Sequence, residues 1–210
     1  FVNNVMLLTP TVSYRPTNNQ SYGMGIILGY QTLKTNLARL DLRQTTGALR
    51  TDSATGVGAR IGGLWDITQY LSIGASAATP VRFSKFNKYQ DVLPHAFDTP
   101  ATFRLGLAIH LCKTDVLLDV KQMNFASVRS LHDGLGWKNQ TIYMLGVQHK
   151  LTHDWTLTAG YNFGESPVRS NNVQLNGLTD PIARHHFTVG ARYKATKRIE
   201  LVAGAEISPN

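Results

Sequence analysis

The chain has 210 residues, of which 42% are hydrophobic and 16% charged, a formal net charge of +8 and one cysteine, Cys112. This composition excludes a disordered chain, and a lone cysteine excludes an internal disulfide and a thiolate metal cluster. A helical membrane protein is not expected, because no apolar run approaches the about 18 residues that a spanning helix requires. The cations are scattered singly, without a recognisable nucleic-acid-binding motif, so no nucleic-acid partner is expected either.

Ten segments have the alternation of a β-strand, in which apolar residues share one parity and small or polar residues share the other. In the clearest example, Trp155, Leu157, Ala159, Tyr161 and Phe163 alternate with Thr156, Thr158, Gly160 and Asn162. The predicted strands lie near residues 4–14, 21–33, 56–67, 71–83, 101–112, 116–127, 140–150, 154–164, 185–195 and 198–207. Their length of about ten residues suits a tilted strand that crosses a bilayer.

The connections between these strands alternate in length. Short polar turns are predicted at 15–20, 68–70, 113–115, 151–154 and 195–198, and long connections near 34–55, 84–100, 128–139 and 165–184. Short turns at one end and long loops at the other are typical of a transmembrane β-barrel. In lipid every backbone polar group must be paired within the protein, so the sheet has to close and its outer face has to be apolar.

Two residue classes recur within the strands. Aromatic residues near strand ends on the apolar parity fit interfacial girdles, with ordinary sheet packing as the alternative: Trp65, Tyr143, Trp155, Tyr161 and Tyr193. Glycines recur on the opposite parity, where they either leave room in the lumen for a plug or ligand or ease the curvature of the barrel: Gly25, Gly58, Gly62, Gly74, Gly106, Gly146, Gly160, Gly190 and Gly204.

Four segments carry a family resemblance: "GVGARIGGLWDITQYLSIGASAATPVRFSKFNKY" (56–89), "DTPATFRLGLAIHL" (98–111), "LLDVKQMNFASV" (117–128) and "GLGWKNQTIYMLGVQHKLTHDWTLTAGYNFGESPV" (134–168). They resemble the FadL-like family of outer-membrane long-chain fatty acid and hydrocarbon transporters. The resemblance implies a barrel of about fourteen strands plugged by an N-terminal hatch. We therefore expect an all-β, antiparallel transmembrane β-barrel in which residues 1–210 form a single domain, about ten strands of a larger barrel without the hatch and the first strands.

The same resemblance implies facilitated diffusion of long-chain fatty acids or other hydrophobic molecules through a multi-pass barrel in the Gram-negative outer membrane. The expected partners are a fatty acid or hydrocarbon ligand, outer-membrane lipid and lipopolysaccharide. A monomer without catalytic activity, cofactor or metal is expected.

The connection at 82–97 is the first candidate ligand-binding segment. It interleaves aromatic residues with cations, in particular Phe83 and Phe86 with Arg82 and Lys85. Aromatic side chains can cover an acyl chain while cations meet its carboxylate, although a solvated loop facing lipopolysaccharide explains the same pattern.

Ionisable residues on the inward parity form the second candidate set: Arg60, Arg82, Arg104, Asp119, Lys121 and Arg192. A charge inside a barrel needs water or a partner, so we expect cross-strand pairs such as Arg104 with Asp119. Arg104 and Lys121 are the candidate anchors for a ligand carboxylate.

Two other functions remain as alternatives. A general diffusion porin should have a densely charged lumen, which the charged fraction of 16% does not favour. An outer-membrane lipase would have to assemble serine and histidine from distant strands, because no G-x-S-x-G motif occurs. A soluble β-protein should have polar residues at the positions that are apolar here.

Overall fold

The computed structural model describes residues 2–34, 51–89, 95–168 and 184–209, and nearly all of its regular structure is β-strand. The twelve strands are β1 (Val2–Leu8), β2 (Thr11–Thr17), β3 (Gln20–Lys34), β4 (Asp52–Thr68), β5 (Leu71–Ala78), β6 (Arg82–Phe83), β7 (Thr102–Leu111), β8 (Thr114–Met123), β9 (Gln140–Lys150), β10 (Trp155–Gly164), β11 (His185–Lys194) and β12 (Glu200–Ile207). One short α-helix, α1 (Arg129–Leu135), is capped by Gly136, whose φ of 70° is left-handed.

All described strands belong to one antiparallel sheet, in which the strands from β3 onward pair in chain order except for β6. The order is β1-β3-β4-β5-β7-β8-β9-β10-β11-β12, while β2 pairs with β3 and β6 pairs with β4. Among the described strands the sheet is open, with β1 and β2 at one edge and β12 at the other. The antiparallel all-β architecture predicted from the alternation is therefore confirmed.

Two predicted strands are each split in the structure. The strand predicted at 4–14 is interrupted at Thr9 and Pro10, and both halves pair with β3. Proline has no N–H for the ladder and is tolerated at a sheet edge, where the Pro10 carbonyl still accepts a hydrogen bond from Ile26 N at 3.2 Å. The strand predicted at 71–83 breaks after Ala78 and resumes as β6.

The alternating lengths of the connections are observed wherever the structure describes them. Two-residue turns join β2 to β3, β4 to β5 and β7 to β8, and slightly longer turns join β9 to β10 and β11 to β12. The described connections at the opposite end are longer, and those at 34–55 and 165–184 lie largely outside the described residues. The prediction that β8 extends to residue 127 is wrong, because β8 ends at Met123 and Phe125–Ser127 form a 3-10 helix.

The strand registers define two faces of the sheet. The outer face carries Tyr22, Trp65, Leu107, Leu145 and Tyr161 with their parity partners, and large apolar side chains here are exposed, such as Met24 at 65% and Val189 at 61%. The inner face carries Gly25, Arg104, Asp119, Gly160 and Arg192, together with the residues that are opposite them on the neighbouring strands. An apolar outer face is what a bilayer requires of a barrel wall.

Candidate functional site

The inner face near the long loops is covered by the connection that follows β5. Val81, Phe83 and Phe86 of this connection pack on Ile27, Leu33 and Ala54 of β3 and β4, and Phe86 is completely buried. We refer to these six residues as the inner apolar cluster. The cluster closes this part of the inner face with side chains of the chain itself.

Glycines in β3 and β4 make this packing possible. A Cβ on Gly29 would lie 2.6 Å from Phe83 Cζ, and one on Gly56 would lie 2.8 Å from the Arg82 carbonyl oxygen. At Gly58, a Cβ would approach the Pro80 carbonyl oxygen to 3.1 Å. At these positions the glycines leave room for an inward-folded segment of the chain itself; of the three, only Gly58 is among the glycines that the sequence analysis singled out.

Hydrogen bonds from the backbone fix the inward-folded connection. Phe83 N donates to Asp98 Oδ1 at 2.8 Å, and Val81 N donates to Thr99 Oγ1 at 2.9 Å. Lys88 N donates to Asp52 Oδ2 at 2.7 Å, which ties the segment to the start of β4. Satisfied backbone donors allow a loop to be buried in this way.

A second apolar cluster lies at the same end of the sheet. It consists of Phe125, Val128 and Leu131, and Phe97 packs against both this cluster and the inner apolar cluster. Phe125 and Trp137 meet edge to face, with ring centroids 5.1 Å apart. Residues after β8 thus extend the apolar packing that the segment after β5 begins.

The centre of the inner face carries the predicted ion pair. Arg104 on β7 donates from Nε and Nη2 to the two carboxylate oxygens of Asp119 on β8, at 3.1 and 2.9 Å. This bidentate contact confirms the predicted pairing. Gly106 leaves room beside it, because a Cβ there would collide with Asp119 Oδ1 and the carboxylate would have to shift.

Lys121 faces Arg104 directly in the register of β7 and β8. It is half-buried, and the described residues supply no ion-pair partner for its ammonium group. The neighbouring inner-face positions on β8 and β9 include the apolar Met123, Ile142 and Met144, beside the polar Asp119 and Gln140. Two cations, one of them neutralised by Asp119, therefore lie beside apolar side chains.

A hydrogen-bonded chain of side chains crosses the inner face near the short turns. Ser72 Oγ, on β5, lies 2.6 Å from Asp66 Oδ1 and 3.0 Å from His110 Nε2. His110 Nδ1 lies 2.8 Å from Asp115 Oδ1, and Gln148 Nε2 donates to Asp115 Oδ2 at 3.3 Å. We call this set the inner polar chain.

The inner polar chain continues to the last strands. Arg192 on β11 donates to Gln148 Oε1 at 3.1 Å and lies 3.8 Å from Glu200 Oε1 on β12. Side chains from seven strands, β4, β5, β7, β8, β9, β11 and β12, are thereby connected. The sequence did not single out Ser72, His110, Asp115 or Gln148 as a group, although all four have inward parity near a short turn.

The six candidate ligand-binding residues fall into three structural groups. Arg82 and Lys85 are exposed, Phe83 and Phe86 are buried in the inner apolar cluster, and Arg104 and Lys121 are adjacent on the inner face. The predicted inward parity of Arg82 is wrong, because β6 pairs it with the outer-face residue Val57 while Phe83 is directed inward opposite Gly56. In this conformation Phe83 and Phe86 have almost no surface left for a ligand. Ligand contact by any of the six stays a prediction.

An apolar groove of ≈ 1030 Å³ lies mainly on the outer face, over β2 to β5, β7 and β8. Its lining includes Tyr22, Met24, Ile61 and Phe103, and Trp65 Nε1 donates to Tyr22 OH at 3.1 Å. Because this groove faces the lipid side, it is not the lumen in which a transported ligand would bind.

Within the described parts of the chain, we find no helix with the length and hydrophobicity of a membrane-spanning segment.

Comparison with solved structures gives the same fold at low sequence identity. The Pseudomonas putida toluene transporter TodX is 16% identical, with a TM-score of 0.69, over 97% of this chain and 64% of that chain. The Ralstonia pickettii toluene transporter TbuX is 13% identical, with a TM-score of 0.69, over 99% of this chain and 63% of that chain. A Pseudomonas aeruginosa FadL homologue is 15% identical, with a TM-score of 0.67, over 97% of this chain and 59% of that chain.

This chain therefore spans somewhat less than two thirds of the length of these barrels. No curated protein sequence matches the chain. The family model described as "Outer membrane protein transport protein (OMPP1/FadL/TodX)" matches residues 59–207, which is most of the chain. The chain belongs to this family of outer-membrane β-barrel transport proteins.

Proposed function

We propose that this chain is the barrel portion of an outer-membrane channel through which long-chain fatty acids or other hydrophobic molecules pass by facilitated diffusion. One observation carries the proposal: Arg104 and Lys121 lie side by side on the inner face, where Asp119 is the neighbouring acid and three apolar residues lie next to the two cations, Met123, Ile142 and Met144. Apolar walls with few placed polar groups are typical of sites for hydrophobic ligands. No step in such transport requires catalysis or a cofactor.

The two inner-face cations favour a carboxylate over a neutral ligand. Lys121 supplies an ammonium group that no described acid neutralises, and Arg104 supplies a guanidinium that Asp119 already engages. An entering carboxylate would bind Lys121 first and compete with Asp119 for Arg104. Neutral hydrocarbons such as toluene, which TodX and TbuX are described as transporting, would bind the apolar wall without using either cation.

Uptake into outer-membrane vesicles that carry the full-length protein tests the proposal. We expect saturable uptake of a labelled long-chain fatty acid, which the double variant Arg104→Ala, Lys121→Ala loses. The matched control is Arg60→Ala, since Arg60 is on the same face but forms no ion pair among the described residues. Saturable uptake that survives the double substitution would discard the two anchors.

A neutral substrate and the porin alternative are tested in the same vesicles. Labelled toluene that is taken up saturably, while the fatty acid is not, would make a neutral hydrocarbon the substrate. Uptake of small sugars in linear proportion to concentration, without saturable fatty acid uptake, would instead identify a general diffusion porin.

Asp119→Asn sharpens the test of the anchors. This change removes the charge that holds Arg104 while keeping the shape of the side chain, so the guanidinium becomes available to a ligand. We expect the fatty acid concentration at half-maximal uptake to fall about threefold to tenfold, which corresponds to ~0.7–1.4 kcal/mol. Toluene uptake should not change.

Ester hydrolysis is a second candidate function, because the inner polar chain contains the serine-histidine-aspartate connectivity of a hydrolase. Ser72 Oγ faces His110 Nε2, and His110 Nδ1 faces Asp115. Asp66 Oδ1 lies closer to the same hydroxyl and competes with the imidazole for its proton. Labelling of Ser72 by a fluorophosphonate, lost in His110→Ala, would establish this activity, and the absence of labelling would dismiss it.

A further inference from the structure

The short-turn end of the sheet carries an uneven distribution of charge. The turns that follow β7, β9 and β11, with the strand ends beside them, hold five exposed cations: Lys113, Lys150, Lys194, Lys197 and Arg198. We call these five the basic turn patch. None of them forms an ion pair among the residues that the structure describes.

The basic turn patch is continuous because its turns are linked by backbone hydrogen bonds. Lys150 N donates to the Lys113 carbonyl at 2.8 Å, and Lys194 N donates to the Asp154 carbonyl at 2.9 Å. Asp154 is the acid within these three turns, and nearby Glu200 lies 3.8 Å from Arg192. Glu200 is also opposite Lys194 in the register of β11 and β12, so five cations face two carboxylates, one of them shared with Arg192, and the surface keeps a net positive charge.

The other half of the same end is different. The turn between β4 and β5, Gln69 and Tyr70, carries no charge, and beside the turn between β2 and β3 there is one cation, Arg15, whose guanidinium donates to the Asn18 carbonyl. Positive charge is therefore concentrated at the ends of β7 to β12.

The outer face beside the basic turn patch is apolar and aromatic. Trp155 and Tyr193 stack with their ring centroids 4.7 Å apart, and Leu151, Ile199 and Leu201 are exposed at 54%, 55% and 58%. Such rings lie at the boundary between acyl chains and headgroups. The long apolar stems of lysine and arginine let their charges extend from this boundary to the phosphate layer.

We propose that the basic turn patch is a binding surface for anionic phospholipid headgroups in the leaflet that faces the short turns. The acyl chains would cover Leu151, Trp155 and Leu201. The phosphates would meet Lys113, Lys197 and Arg198 in the turns, and Lys150 and Lys194, whose strand positions have inner-face parity, would reach them past the rim of the sheet. Lysine binds phosphate as a point charge, and arginine binds it bidentately. An acidic polypeptide would satisfy the cations but not the apolar and aromatic belt directly beside them.

Quenching of tryptophan fluorescence by brominated lipid tests this proposal on the full-length protein in nanodiscs. Trp155 adjoins the patch, and its signal is isolated as the difference between the unmodified protein and Trp155→Phe. We expect brominated phosphatidylglycerol to quench Trp155 at roughly one tenth of the lipid fraction that brominated phosphatidylcholine requires. At about 1 M salt, where the screening length falls to about 3 Å, this preference should nearly vanish.

Two variants distinguish the patch from charge in general. One variant neutralises the patch with Lys113→Gln, Lys150→Gln, Lys194→Gln, Lys197→Gln and Arg198→Gln. In this variant the two brominated lipids should quench Trp155 at nearly the same lipid fraction. Neutralising three exposed cations of the long connections, with Arg82→Gln, Lys85→Gln and Arg129→Gln, should leave the preference intact. Because all substitutions are at exposed positions, the heat-modifiable gel mobility of a folded barrel should be the same for both variants.

Several outcomes would overturn the proposal. Equal quenching by the two lipids would do so, and so would a preference that the patch variant retains. A third is tight binding of polyglutamate without any preference for phosphatidylglycerol, which would identify an acidic polypeptide partner instead.

Discussion

The inner face of the sheet is built in two different ways. On β3 and β4 it is covered by the chain's own loop, and three glycines make room for Val81 and Phe83. Nearer the short turns it is lined by the inner polar chain, from Asp66 on β4 to Arg192 on β11, and by the pair of Arg104 and Asp119. The same alternation of apolar and small residues therefore supports two kinds of interior, and whether a loop folds inward decides which one forms.

The difference between these halves has an energetic meaning. Apolar packing is lost when a side chain is shortened, because a cavity remains. A polar network is lost when one partner is removed, because the remaining groups are desolvated without a hydrogen bond. Substitutions in the two halves should therefore lower the free energy of unfolding for different reasons and by different amounts.

Phe86→Ala should have the largest effect. Phe86 is completely buried, and truncation of a buried phenylalanine costs about 3–5 kcal/mol. Because the cluster holds the connection after β5 on the sheet, amide hydrogen exchange at residues 81–88 should accelerate about a hundredfold or more. Phe103→Ala, on the outer face, is the control of equal size and should leave this exchange unchanged. Equal acceleration in both variants would contradict the packing role of the cluster.

Gly106→Ala should have the second-largest effect on stability. The added Cβ collides with Asp119 Oδ1 and displaces the carboxylate from Arg104, at a cost of about 1–3 kcal/mol in unfolding by denaturant. Gly74→Ala on the neighbouring strand is the matched control, because the nearest side-chain atom to a Cβ there, Leu64 Cδ1, lies at 3.6 Å. If both variants unfold at the same denaturant concentration, the ion pair does not depend on the glycine.

Ser72→Ala should destabilise the polar half by about 1–2 kcal/mol, because it removes two hydrogen bonds from a hydroxyl that is almost fully buried. Denaturant unfolding again provides the measurement. Ser76→Ala, on the same face of the same strand, has no side-chain hydrogen bond among the described contacts and should change little. A loss of stability in Ser76→Ala as large as that in Ser72→Ala would assign the effect to packing instead.

Tyr22→Phe should have the smallest effect, about 0.5–1 kcal/mol. It removes the hydroxyl that accepts a hydrogen bond from Trp65 Nε1 on the outer face but keeps the edge-to-face ring contact at 5.9 Å. Tyr30→Phe is the control, since no hydrogen bond of its hydroxyl is observed within the described part of the chain. Unfolding followed by tryptophan fluorescence should separate the two variants, and indistinguishable curves would show that the outer hydrogen bond contributes nothing.

Strand positions and faces were predictable because parity is a local property. The segments at 101–112, 140–150 and 185–195 match β7, β9 and β11 within one or two residues. The pair of Arg104 and Asp119 was predictable as well, since opposite charges of inward parity lay on neighbouring strands. The resemblance to the FadL-like family, quoted from four segments, is confirmed by the family match.

Register and loop conformation were not predictable from the sequence. Parity places Ser72, His110 and Asp115 on one face, but only the pairing of three strands places them within hydrogen-bonding distance. Phe83 and Phe86 alternate with cations just as a ligand-binding loop would. Their burial follows from the glycines of β3 and β4, which are far from them in the sequence.

The alternating connection lengths have a consequence for assembly. A turn of two residues, Cys112 and Lys113, closes the hairpin of β7 and β8, whereas β8 and β9 are joined by residues 124–139. Eight times the loop length is three doublings, so closing the longer loop costs about 2 kcal/mol more chain entropy. The strands should therefore pair first as hairpins across their short turns. These hairpins should then pair with one another to form the sheet.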